Sequence, residues 1–450
     1  MRRSRGGLPP DPRARLGQPR GEGRTPRPGE RSDPLERRGE GAGRNRVRRP
    51  LHRGAAGLHP RGESDVRRFR SDPLRLPSLP RPDVPGNSLK DRLDLAALRA
   101  GLAALFPAAD PTAAEVSELA GDASTRRYYR VRTGSGASLP SIVVMRYPDD
   151  VPPEAELPFL NVHRYLSAAG VPVPAVYRSD PGANLLFLED AGDTMLEDAF
   201  RDRGEGECLP LYEQCVEILV RIQSEGTRAL DGKAIPPRLS FDVPKFTEEI
   251  DFFFEHAVRE YGAIPLPDRE ERAIGDLFLP FLERLSALPR VLSHRDYHSR
   301  NVMVLGPGKV PGHRNLRVLD FQDARMGNVY YDLASLLRDS YVSLPENAVD
   351  HLRYAWRHAA TAELRNAAGD DGAFAWLFDL AALQRNVKAI GTFGNQAHNR
   401  GKRMYLRFIP PTVAHLRGNF ERNPPMRALA GRLLPILSAL AEKAAAEIPA

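Results

Sequence analysis

Cysteine is scarce: 450 residues contain only Cys208 and Cys215. Seven positions apart, they share one helical face, where bridging two turns is geometrically awkward for a disulfide. Two reduced thiols are expected, which excludes a disulfide-stapled scaffold and points to the cytoplasm. Long apolar runs are missing as well. Nothing approaches the ~20 residues that a membrane-spanning helix needs, so no membrane association is expected. The basic N-terminus leads into no apolar stretch, and no secretory signal is read there.

Lysine is nearly absent from residues 1–90, where Lys90 stands alone beside 22 Arg, 14 Pro and 13 Gly. That segment has no apolar periodicity and cannot bury enough surface to offset the entropy of ordering it. Residues 1–87 are therefore predicted to be a disordered Arg/Pro/Gly-rich tail. Three readings compete: a nucleic-acid-binding arm, a solvated tail without a role, and an upstream stretch read from a misplaced start. The composition, rich in Arg but not Lys, favours the last two. The formal charge of +7 conceals this division. Residues 1–90 carry 23 basic and 10 acidic side chains, a balance of +13, whereas the remainder carries 42 and 48, a balance of −6. The folded part is mildly acidic, and no nucleic-acid partner is expected for it.

The remaining chain is long enough for two lobes. Leu93, Leu95, Leu98, Leu102 and Leu105 recur at helical spacing. The Tyr/Val-rich end of the 118–131 segment and Ile142–Met145 read as a β-hairpin around Gly134 and Gly136. Residues 156–169 read as a helix stopped by Gly170, 171–174 as extended chain forced by two prolines, and 185–188 as a short buried strand. Beyond Gly192 the pattern is mostly helical, over 211–225, 245–261, 269–287, 331–341, 346–368, 373–390 and 426–446. Short β-type runs at 302–305 and 316–319 interrupt it. The expectation is an α+β, bilobal molecule, with a small β-rich lobe over 88–189 and a large helical lobe over 190–450.

The chemistry-bearing stretch is Ser293-His-Arg-Asp-Tyr-His-Ser-Arg-Asn-Val302, followed by Leu319-Asp-Phe-Gln-Asp-Ala324. Phosphoryl transfer from ATP needs a carboxylate to orient the attacking hydroxyl and oxygen ligands for Mg²⁺. Asp296 supplies the first. Asn301, five residues on, and Asp320, at the end of an apolar strand, supply the second. Each residue alone has an ordinary reading as a turn former or cap; the order loop Asp, Asn, strand, turn, strand, Asp is that of a kinase catalytic loop followed by its metal Asp.

These residues carry a resemblance. His294-x-Asp296-x-x-x-x-Asn301 followed by Asp320 resembles the aminoglycoside/choline phosphotransferase family, whose fold is protein-kinase-like. Within it, the chain is similar to the anomeric sugar kinases of bacterial peptidoglycan recycling, which phosphorylate N-acetylmuramate and N-acetylglucosamine at C1. The likeness also draws on Gly121–Tyr128, Asp320–Ala324, Tyr331–Asp339 and Leu383–Phe393, and spans roughly residues 90–425. It implies ATP and Mg²⁺ as cofactors and an amino sugar as acceptor. It also implies a functional link to a sugar-1-phosphate nucleotidyltransferase. By the resemblance Asp296 is the catalytic base, Asn301 and Asp320 bind metal, and His294 and Asp332 support the loop. The front turn with Gly121, Ser124 and Arg126 covers the ATP phosphates, and Leu188 and Glu189 form the hinge beside adenine. Asp323, Arg385 and Lys388 are expected at the acceptor, the last two sharing a helix face.

Two departures stand out. The strand Ile142-Val-Val-Met-Arg-Tyr147 lacks the Lys that kinases use on the α/β-phosphates, and Arg146 or Arg126 is expected to replace it. The front loop is not a full Gly-x-Gly-x-x-Gly. Two other readings therefore stay open: a kinase of this fold acting on an aminoglycoside, choline or homoserine, and a non-catalytic ATP-binding pseudokinase. A cationic acceptor would want clustered carboxylates, for which Glu248-Glu249-Ile-Asp251 is the candidate run.

Overall fold

The computed structural model describes residues 93–119, 126–148, 157–306 and 315–448. A five-stranded antiparallel sheet forms the front: β1 (Glu115–Leu119), β2 (Arg127–Arg132), β3 (Ser141–Arg146), β4 (Val176–Asp180) and β5 (Leu185–Glu189), in the order β1-β2-β3-β5-β4. Period-two alternation sorts its side chains. Tyr129, Val131, Ile142, Val144, Leu185 and Phe187 are fully buried on one face. Helix α1 (Leu95–Leu105), begun by the side chain of Asp94 accepting from the amides of Ala96 and Ala97, covers that face with Leu98 and Leu102. The helix carries Gly101 because a Cβ there would run into the ring of Phe187. Tyr128, Arg130 and Val143 look the other way, toward a cleft.

Helix α2 (Pro158–Ala168) leans across the cleft, its Phe159 ring 4.9 Å from that of Phe321. The back is helical. Helices α3 (Leu196–Arg203) and α4 (Glu205–Arg221) lead through wide turns at Ile222–Gly226 into the single turn α5 (Thr227–Ala229). They are followed by α6 (Val243–Phe253), which widens over Phe254–Tyr261, and α7 (Asp268–Ser286). Two short antiparallel ribbons come next, β6 (Val291–Ser293) with β9 (Arg325–Gly327) and β7 (Val302–Val304) with β8 (Leu316–Val318). Then come α8 (Val329–Leu337), α9 (Glu346–Ala359), α10 (Ala362–Ala368), α11 (Asp371–His398), α12 (Ile409–Arg422) and α13 (Arg427–Glu447). The result is the expected α+β, two-lobed architecture.

Several elements differ from the sequence reading. The expected 373–390 helix runs on to His398, because Gly391 and Gly394 sit where the helix crosses its neighbour. A Cβ on Gly391 would meet Phe253 Cα at 2.8 Å, and one on Gly394 would meet Ala257 Cα at 2.7 Å. These glycines permit a close crossing and do not end the helix. The expected 346–368 helix breaks at Ala360, and Thr361 caps a second one by accepting from the amide of Leu364. Helix α12 was not expected; Pro410 and Pro411 occupy its first turn, where an N–H has no partner to lose. Strands β1 and β4 were also not expected. The thiols of Cys208 and Cys215 are free and buried on α4, and burial raises both above the usual range.

Candidate active site

The catalytic-loop segment is built by a buried carboxylate. Asp332, on α8, accepts from Ser293 Oγ and from the amides of His294 (2.6 Å) and Arg295 (3.0 Å). Burial raises its pKa although those bonds act the other way. His294 donates through Nε2 to the carbonyl of Leu319 at 2.8 Å, tying the loop to the segment that carries Asp320. A second carboxylate, Asp339, accepts from the amides of Ser299 and Tyr341, and burial pushes it up to about 6. Tyr297 is fully buried and donates to the carbonyl of Cys215.

So pinned, the loop presents Asp296. Lys388 Nζ lies 2.9 Å from its Oδ1, Arg385 Nη2 3.6 Å from the same oxygen, and Arg295 Nε 3.7 Å from Oδ2. Burial works to raise this carboxyl, but Lys388, Arg385 and Arg295 together hold it well below the usual range. Burial in turn lowers Lys388, with the Asp296 carboxylate opposing. Two non-glycine residues here adopt left-handed backbone, Arg295 (φ 85°) and Asp320 (φ 61°). Such strain persists where surrounding contacts over-determine it, and it concentrates at functional sites.

Asn301 donates from Nδ2 to the carbonyl of Asp296 at 2.8 Å, which leaves its Oδ1 for the cleft. Asp320 accepts from Gln322 Nε2. Asp296, Asn301 and Asp320 line one cavity of about 1090 Å³ between the lobes, together with Arg126, Leu188, Glu189, Asp323, Arg385 and Lys388. His294 and Asp332 stand behind it. Arg146 is not among the described residues lining it, and Gly121 and Ser124 lie outside the described residues.

Glu189, expected at the hinge beside adenine, lines the cavity, and its carboxylate is held by the helical lobe. It accepts two bonds of 2.8 Å from Arg317 on β8. The run 248–251 does not form an acidic site. Glu248 pairs with Lys245, buried Glu249 accepts from Gln384, and Asp251 faces a separate cleft. Asn161, on α2 where a kinase Glu would be expected, uses its amide on Lys233 O and the Ile235 amide.

Other residues of the site were not singled out from sequence. Arg130 forks onto Asp190 (2.8 and 2.9 Å) and reaches Asp193 at 2.6 Å, joining β2 to the link between the lobes. Arg300 pairs with Glu197 and lies over the ring of Tyr341 at 4.2 Å. Tyr128 lies close enough to Arg126 and Asp320 to feel both charges, though burial dominates in raising its hydroxyl. Apart from Arg126 beside Tyr128, each partner lies far off in sequence, so local pattern carried no signal for these pairs.

Fold and site together describe a phosphoryl-transfer enzyme of the two-lobed kind. Residues 115–369 match the phosphotransferase enzyme family, and the chain belongs to it. It is 32% identical over 331 residues to the N-acetylmuramate/N-acetylglucosamine kinase of Pseudomonas putida, covering 73% of this chain and 89% of that protein. It is 33% identical over 334 residues to the enzyme of the same name from Pseudomonas aeruginosa, covering 73% and 90%. A choline/ethanolamine kinase family protein from Mesorhizobium loti aligns at 16% identity and a TM-score of 0.44, over 77% of this chain and 99% of that one. Among the described residues, no helix is long and apolar enough to cross a membrane.

Proposed function

We propose that the chain transfers the γ-phosphoryl group of ATP to the anomeric C1 hydroxyl of N-acetylmuramate or N-acetylglucosamine. The observation that carries this reading is the convergence of Asp296, Asn301 and Asp320 on one interlobe cavity, with Arg385 and Lys388 closing over Asp296 from α11. The names of the relatives supply the acceptor.

In this reading the apolar slot of Val143, Leu188, Ala191, Met303 and Leu319 takes adenine. Arg126 and Tyr128 stand where the phosphates would run, in place of the missing Lys. Asn301 and Asp320 would hold Mg²⁺. Their donors are hard oxygens, and among the described residues no cluster of three or more His, Cys, Asp or Glu gathers. That suits an ion whose remaining ligands are waters and phosphate oxygens. When bound, it neutralises charge developing on the transferred group.

Asp296 orients the acceptor hydroxyl and takes its proton as the new O–P bond forms and the bond from the γ-phosphorus to the bridging oxygen breaks, releasing ADP. Its Oδ1 is occupied by Lys388, so Oδ2 faces the acceptor. A carboxylate held this far down is a weak base. An anomeric hydroxyl, made acidic by the ring oxygen, asks less of it than an ordinary alcohol does. The three cations around Asp296 disfavour choline- or aminoglycoside-type acceptors, which are themselves cationic. The complete set of Asp296, Asn301 and Asp320 disfavours a pseudokinase. A sugar 1-phosphate made this way would feed a nucleotidyltransferase. Incubating the protein with ATP, Mg²⁺ and each sugar, and reading the product by ³¹P NMR, tests the assignment. An anomeric phosphate is expected, and phosphate at another carbon or no product would refute it.

A further inference from the structure

Four side chains of the cavity wall act on the charge of Asp296: Arg295, His298, Arg385 and Lys388. Three of them are already engaged. Arg385, Lys388 and Arg295 pair with the Asp296 carboxylate itself. Arg385 also holds Ser335 Oγ, and Arg295 reaches Asp323. His298 is the exception. Its backbone amide donates to the Asp296 carbonyl at 3.1 Å, and Tyr341 packs edge-on against its ring, the centroids 5.0 Å apart. Its imidazole makes no hydrogen bond among the described residues. Nδ1 is enclosed and Nε2 is not, so the Nε2 side of the ring is the one that opens on the cavity.

That ring is neutral. Burial, and after it Arg385, push its pKa down to about 3, with Asp296 opposing. A neutral imidazole carries one N–H. On enclosed Nδ1 the hydrogen would be stranded, and a buried N–H without an acceptor is rarer than an unpaired lone pair. The hydrogen is therefore assigned to Nε2, which offers the cavity a donor. His298 lies two residues after Asp296, so their Cα atoms are at most about 7 Å apart, and the backbone bond between them draws the loop tighter still. A donor so placed meets the atoms next to the reacting hydroxyl. Beside C1 of the acceptor stand the ring oxygen and C2, and both N-acetylated sugars carry an acetamido group at C2. An amide carbonyl is a stronger acceptor than a ring ether oxygen. We propose that His298 is a specificity residue that donates from Nε2 to the carbonyl oxygen of the acceptor sugar's 2-acetamido group. This rests on the sugar-1-kinase reading above, and adds to it what separates N-acetylated sugars from plain hexoses.

The test compares wild type, His298→Phe and His298→Gln. N-Acetylglucosamine and N-acetylmuramate serve as substrates, and 2-deoxyglucose, which lacks any group at C2, as a competitive inhibitor of their turnover. His298→Phe keeps a ring against Tyr341 but has no N–H, and His298→Gln returns an amide N–H near the place of Nε2. On wild type, Ki for 2-deoxyglucose should lie about tenfold above KM for N-acetylglucosamine, the value of one hydrogen bond at ~1.4 kcal/mol per decade. His298→Phe should raise KM for both N-acetylated sugars by about the same factor and leave Ki for 2-deoxyglucose and KM for ATP unchanged. His298→Gln should recover part of the loss. Equal loss on all three sugars, no loss on His298→Phe, no recovery by His298→Gln, or a rise in KM for ATP alongside would overturn the proposal while the kinase reading stands. Absence of any sugar phosphate with wild type would overturn the kinase reading itself, and this proposal with it.

Discussion

The Lys388 ammonium donates to Oδ1 of Asp296 at 2.9 Å, across 92 residues of sequence. One carboxylate oxygen is thereby fixed by the helical lobe. Asp296→Asn, which keeps the shape but cannot take a proton, is expected to lower kcat by ~10²-fold or more with ATP affinity unchanged. Lys388→Met removes a charged hydrogen bond of about 1.5–3 kcal/mol and should cost tenfold or more in kcat/KM at ~1.4 kcal/mol per decade. Steady-state kinetics with calorimetric ATP titration checks both. Turnover of Asp296→Asn within a few-fold of wild type would remove it from the chemistry.

Asn301→Ala and Asp320→Ala should each raise the Mg²⁺ concentration needed for half-maximal rate. Asp320→Ala should do so more strongly, because it deletes a charge as well as an oxygen ligand. Mg²⁺ titrations of both variants that overlay the wild type would show that neither holds the ion.

Asp190 is held below the usual carboxylate range. Burial raises it, but the Ser141 hydroxyl, Arg130 and the Gly192 amide outweigh that. A carboxyl depressed on folding contributes stability above its unfolded pKa of ~3.9, and that contribution is lost as pH falls through the folded value. Asp190→Asn is therefore expected to cost about 3 kcal/mol at neutral pH, as breaking a buried pair does. The gap to wild type should shrink in acid. Denaturant midpoints at pH 7 and below pH ~4 measure it, and a gap independent of pH would exclude the ionic origin.

Gly394→Ala should destabilise the protein by about 1–3 kcal/mol or more, since the new Cβ meets the backbone of Ala257 and His256 at 2.7 Å. It should also raise KM for the acceptor, because α11 carries Arg385 and Lys388, which hold Asp296. Gly275→Ala, with nothing within 4 Å of its Cβ, is the control. It should stabilise α7 by up to ~1 kcal/mol. Equal thermal shifts for the two would contradict the crossing argument.

Removing residues 1–87 should leave solubility and turnover unchanged, since that segment has no core-forming pattern. An inactive or insoluble truncated protein would show that the tail takes part in the fold.

What could be read in sequence followed from local rules. Alternation located β2 and β3, and the spacing of Asp296, Asn301 and Asp320 foreshadowed their shared cavity because each sits at a strand end or loop of fixed length. Arg385 and Lys388 were readable as one helix face, but their closeness to Asp296 was not. What escaped depended on partners distant in the chain. The charges of Arg130 and Arg317 look like ordinary solvated strand residues until Asp190 and Glu189 are folded against them. The run of α11 beyond residue 390 was not read, because only the crossing at Phe253 and Ala257 accounts for Gly391 and Gly394. The pairing of Glu189 with Arg317, 128 residues away, carried no local signal either.

Those two arginines also govern how the halves of the molecule can move. Arg130 belongs to the sheet and Arg317 to the helical lobe, and they grip neighbouring carboxylates, Asp190 and Glu189. Their side chains are only 13% and 12% exposed, so salt screens them weakly. A tether clamped from both sides cannot stretch or slide. While both pairs hold, the cleft can open only by a turn about these two adjacent residues, like a door whose two leaves are pinned to one spindle. Small angular changes there become large displacements at the far rim of the cavity.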